Sequence, residues 1–206
     1  MNKTFHPNCQ LFVFAILIAT ASAGCGNRGA STADAQKTQP DSSSKTVSPS
    51  ELVSAPDTSV MDAAVKGNVD VIRQHVAAGT DLNQRNSNGA TALIAAASLG
   101  QKKTAILLIE GGADLEVKGN NGSTALHTAA FLCREEIVKA LLAKGADKEA
   151  RNNAGSTAFD SVAGPFDEVK PIYDFLQKAL DPLGVELDYD RIMATRPKMA
   201  EMLRAD

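Results

Sequence analysis

The sequence has no tryptophan, two tyrosines, three cysteines and three histidines in 206 residues. These scarcities narrow the possible functions. A formal charge of −3 leaves no basic surplus, whereas a nucleic-acid binder is usually clearly basic. Cysteines at 9, 25 and 133 cannot form a disulfide framework once the first is removed with a leader. No CxxC, HExxH or other metal-ligand spacing occurs, so no metal or cofactor is expected. What remains is 44% hydrophobic and 22% charged, enough for one modest globular domain.

The apolar run at residues 11–23 is 13 residues long, short of the roughly 20 that span a bilayer. It fits the hydrophobic region of a secretory leader, so residues 1–24 are expected to be a signal peptide. Two cleavage patterns overlap at its end. Ala21-Ser22-Ala23 is an A-x-A site, after which Cys25 is an incidental thiol of a soluble periplasmic or secreted protein. Ser22-Ala23-Gly24-Cys25 resembles a bacterial lipobox, with Ser22 where that pattern prefers Leu. The resemblance implies that Cys25 becomes the lipidated first residue, anchoring the protein in the cell envelope on the periplasmic or outer-membrane side. Gly26 resembles the residues that permit sorting to an outer membrane. Residues 25–57 are rich in Ser, Thr and Pro and poor in large apolar side chains. They bury too little surface to offset ordering entropy and are expected to form a flexible linker.

Beyond residue 57 the pattern changes to a repeat. Gly89, Gly122 and Gly155 are each 33 apart, as are Thr91, Thr124 and Thr157, and Ala97, Ala130 and Ala163. "GTDL", "GADL" and "GADK" at 79, 112 and 145 keep the same interval. The threonines suit helix N-caps, Leu93, Leu126 and Phe159 suit a core, and Gly79, Gly112 and Gly145 suit left-handed helix ends. Period 33 with "TALH" at 124–127 resembles the ankyrin repeat family. The resemblance implies an all-α solenoid of about four repeats with a degenerate helical C-terminal cap, over residues 58–206. The units are an N-terminal cap at 58–85, repeats at 86–118, 119–151 and 152–183, and a closing cap at 184–206. Pro171 is expected to interrupt the fourth repeat, and residues 190–203 to form short closing helices with Pro197 in a first turn.

The resemblance also assigns the single residues. His127 is expected to be a structural hydrogen-bonder between repeats, His75 an outward, solvated side chain, and Cys133 an inert thiol where Gly67 and Gly100 stand in other units. Recognition of a protein partner is implied, through groove and hairpin tips, by a monomer with no cofactor and no nucleic acid. Leu99, Phe131 and Leu132 follow the paired alanines and are expected to face the groove as an apolar contact patch, unless the C-terminal extension covers them. Arg85, Lys118 and Arg151, again 33 apart, form either a row facing an acidic partner or a solvated charge row. Asn88, Asn120 and Asn121 lie in the same hairpins and are expected to contact the partner as well. Two other classes of function stay open: a structural envelope protein, and an enzyme or sensor with a site in the tail at 165–206. That tail has neither Cys nor His.

Overall fold

The first three helices start where a Ser, Asn or Thr oxygen takes an orphaned N–H, and the first and third stop where glycine turns left-handed. The computed structural model describes residues 55–204. The expected signal peptide, Cys25 and nearly all of the linker lie outside the described residues. Ser59 opens α1 (Val60–Lys66), and Asn68 opens α2 (Val69–Ala77) by accepting from the Val71 amide. Thr91 accepts from the Ile94 amide and opens α3 (Ala92–Leu99), which Gly100 ends at φ 71°. Then come α4 (Lys102–Glu110), α5 (Ala125–Phe131) and α6 (Glu135–Ala143).

The pairs stack in chain order: α1 against α3 and α3 against α5, with α2, α4 and α6 forming a second row. The alanine pairs Ala63-Ala64, Ala96-Ala97 and Ala129-Ala130 are fully buried and let the inner row approach closely. The outer row fills the remaining space with Ile72, Leu108 and Leu141. Described residues contain no strand. The architecture is an all-α solenoid of stacked helix pairs, as the resemblance implied.

His75 departs from the expectation of a solvated side chain. It occupies the place that Leu108 and Leu141 hold in later repeats, and it is 3% exposed. Its Nε2 lies 2.7 Å from the Thr58 carbonyl and its Nδ1 3.2 Å from the Thr80 hydroxyl. A carbonyl can only accept, so Nε2–H donates to Thr58 and Nδ1 accepts from Thr80. Among the described residues no unit precedes the first repeat, and the ring ties down its N-terminal flank.

The fourth unit is remodelled more than the sequence suggests. Its first helix, α7 (Asp160–Ala163), has four residues and ends at Gly164, held extended before Pro165. The second, α8 (Phe166–Leu180), runs 15 residues straight through Pro171. After a 3-10 turn at Asp181–Leu183, one continuous helix, α9 (Tyr189–Leu203), replaces the expected short closing helices and contains Pro197 in its interior. Proline removes a hydrogen bond to the carbonyl four residues earlier. Here those residues are Asp167 and Met193, both exposed like the prolines. Buried faces hold both helices instead, with Val169, Ile172, Tyr173, Leu176 and Leu180 spaced along one side of α8.

Candidate functional site

The hairpins between repeats are built from side-chain caps of their own backbone. Asp81, Asp114 and Asp147 each accept from the amide two residues on, at 2.9, 2.9 and 2.8 Å. Asn86 accepts from the amides of Asn88 and Ala90, and Asn152 from those of Ala154 and Ser156. Gly119 has replaced that asparagine in the middle hairpin, and Asn121 caps the Ser123 amide instead.

On this frame the three cations form one row. Arg85 donates from Nε to the Gly89 carbonyl at 3.0 Å, and Arg151 from Nη1 to the Gly155 carbonyl at 2.7 Å. Lys118 reaches the next hairpin, donating to the Arg151 carbonyl at 2.9 Å. All three are exposed, and none has a carboxylate within ion-pair distance among the described residues. Glu116, nearby in sequence, instead accepts from the Asp147 amide. Asn120 and Asn121 knit the hairpins together. Asn120 donates to the Ser87 carbonyl at 3.5 Å and accepts from Arg85 at 3.4 Å. Asn153 donates to the carbonyls of both Asn120 and Asn121. Asn88 is half-buried at the first tip.

The apolar groove patch requires correction. Phe131 is 5% exposed and Leu132 fully buried, so neither presents a free contact surface. Tyr173 of α8 stacks on the Phe131 ring with centroids 4.5 Å apart and planes within 8°, and donates its hydroxyl to the Phe131 carbonyl. Phe166 stacks on the Tyr173 ring with centroids 5.6 Å apart and lies tilted against Tyr189 at 6.3 Å. The C-terminal extension therefore covers the third repeat at this point. Leu99 alone of the three stays half-buried.

The extension itself is held by a buried cation. Arg196 of α9 is 3% exposed and donates to the carbonyls of Ser161 and Gly164 and to the Tyr173 hydroxyl. Three acceptors offset the desolvation of its charge. This cluster was missed in the sequence, where an arginine among polar residues gives no sign of burial.

His127 links repeats as expected. Its Nδ1 accepts from the Thr124 amide at 3.3 Å, and Nε2–H donates to the Ser156 carbonyl of the next unit at 3.1 Å. Burial lowers its pKa, and the Ser156 bond only partly opposes that. Cys133 sits at φ 52°, the left-handed turn that Gly67 and Gly100 make in earlier units. Burial pushes its thiol up to about 11, which keeps it protonated and unreactive at neutral pH.

No described helix is long and apolar enough to cross a membrane. No curated protein matches the chain. Residues 60–152 match the family model of ankyrin repeats, in three copies.

Proposed function

We propose that the chain is an exported, membrane-tethered recognition module, without catalytic activity, that meets an acidic surface of a protein partner through Arg85, Lys118 and Arg151. Ankyrin repeats imply a protein partner. The observation that carries the finer reading is the row itself: three exposed cations on successive hairpins, held by backbone carbonyls and lacking carboxylate partners among the described residues. Side chains already fixed lose little entropy on association, and unneutralised charge speeds encounter with an opposite surface. Asn88, Asn120 and Asn121 flank the row, and Leu99 is the one residue of the expected apolar patch that stays half-buried. The leader-like run and the Ser22-Ala23-Gly24-Cys25 pattern support export and lipidation at Cys25, and the linker gives the module reach from a membrane surface. The module acts as a monomer.

The test is affinity capture from envelope extracts with the full chain and with the triple variant Arg85→Ala, Lys118→Ala, Arg151→Ala. The triple variant should associate more slowly and with a flatter dependence on salt. A partner captured at unchanged rate and salt dependence refutes the hairpin row. Separately, Cys25→Ala should move the protein from the membrane fraction to the soluble one. A mature N-terminus at Gly24 without acyl mass refutes the tether.

A further inference from the structure

The edge of the stack opposite the hairpin tips carries a second charged feature, independent of the partner reading above. Along this edge each repeat reaches back to the one before. Gln101 donates to the Val65 carbonyl at 3.2 Å, and Arg134, 33 residues on, donates to the Ser98 carbonyl at 3.4 Å. The Arg134 guanidinium lies over Gly100 so closely that a Cβ there would come within 2.7 Å of its Cζ. Its Nε–H is shielded from solvent and has no acceptor among the described residues.

Helix α9 brings Arg191 to the same place, donating from Nη1 to the Cys133 carbonyl at 2.9 Å. Both arginines line an open recess of about 360 Å³, together with Thr195 and the start of α6. Burial and then the neighbouring Arg191 charge lower the Arg134 pKa, as expected for like charges held close. Neither arginine makes an ion pair among the described residues. The two carboxylates at the rim are already engaged. Glu135 takes Lys139 at 2.6 Å and Lys198 at 2.7 Å, and Glu136 takes Lys102 at 2.8 Å. Helix α6 begins with no side-chain cap, and Glu135 and Glu136 in its first turn lie at its positive dipole end.

We infer that this recess binds one oxyanion, a carboxylate or phosphate group, clamped between Arg134 and Arg191. The two guanidiniums disfavour a cation. Planar guanidinium forks match carboxylate and phosphate oxygens in pairs. The occupant bridges the third repeat to α9, so it fastens the C-terminal cap to the stack.

The test is a titration of the full chain at constant ionic strength with inorganic phosphate and, separately, with acetate. Saturable shifts of the Arg134 and Arg191 Nε–H resonances are expected in NMR spectra. Tighter phosphate binding identifies a phosphate-bearing ligand, and tighter acetate binding a carboxylate; either supports the site. Arg191→Gln should weaken binding at least about tenfold while helical content is retained, and Arg191→Lys should restore part of it. Shifts that track ionic strength without saturating for both anions overturn the inference. Undiminished binding by a folded Arg191→Gln variant overturns it as well.

Discussion

The Tyr173 hydroxyl donates to the Phe131 carbonyl while its ring stacks on the Phe131 side chain. In the two preceding repeats the equivalent carbonyls, of Val65 and Ser98, are taken by Gln101 and Arg134. The next residue in that series is Asp167, whose ionised carboxylate cannot donate. Tyr173 takes over the rung from one turn and a half further along α8.

Tyr173→Phe should therefore cost about 1–3 kcal/mol, because it strands a buried carbonyl and removes one acceptor of Arg196. Tyr173→Ala adds a cavity and should cost about 3–5 kcal/mol. Urea melts followed by circular dichroism measure both. Phe131→Glu with Leu132→Glu should unfold or aggregate the domain, as expected for charges placed in a core; a variant that melts like the parent contradicts the covered groove.

His127 predicts a specific acid sensitivity. Its folded pKa lies below the ordinary value of 6.5 because burial disfavours the charged ring. The unfolded chain then binds the extra proton first, so stability is full above pH 6.5 and falls as pH drops from there toward the folded pKa. Protonation also ends acceptance of the Thr124 amide by Nδ1. Glu135, held down to about 2 by Lys139 and Lys198, acts in a separate window, losing its contribution only as pH falls below the ordinary carboxylate range of about 4.5. Melting curves between pH 7.5 and 5 should show the histidine slope, and His127→Ala should flatten it while costing about 1–3 kcal/mol at neutral pH.

Gly100 and Cys133 make the same left-handed turn, at φ 71° and 52°, yet should respond oppositely to exchange. Gly100→Cys forces a Cβ against Arg134 and should cost more than about 1 kcal/mol. Cys133→Gly relieves about 1–2 kcal/mol of left-handed strain but loses a buried sulfur, so the net change should stay within about 1 kcal/mol. A thiol reagent should label native Cys133 far more slowly than the denatured chain, since the buried group is held protonated.

Leu126→Ala truncates a fully buried side chain of the third unit and should cost about 2–5 kcal/mol. If the loss is near zero in equilibrium melts, the stacking of α5 between its neighbours is misassigned.

The stack was legible in the sequence because every repeat solves one packing problem with the same residues at the same interval. Thr91 and Thr124 cap, Gly100 turns and paired alanines pack, so period 33 carries the architecture directly. The hairpin row of Arg85, Lys118 and Arg151 was readable for the same reason. Where the period lapses, local rules mislead. Pro171 and Pro197 look like helix breaks, but long-range burial on α8 and α9 outweighs one lost bond on an exposed face. His75 looks solvated because the leucine of its position is gone, yet Thr58 and Thr80 accommodate a polar ring. The covering of Phe131 and Leu132 depends on a contact across 42 residues, for which no repeat spacing exists.

The change from glycine at 67 and 100 to cysteine at 133 acts as a stop codon for the array. A glycine is favoured wherever another unit lays its Gln101- or Arg134-type side chain over the turn, and at 133 no such side chain follows. Length is therefore adjustable inside the stack and closed at its end. An extra copy of residues 86–118 inserted after residue 118 presents a glycine turn to the incoming arginine and meets a ready docking surface. The same copy inserted after residue 151 meets Cys133 and separates Tyr173 from Phe131. Growth by internal duplication is the route this molecule leaves open, while its C-terminal end is closed by Cys133 and by Tyr173 on Phe131.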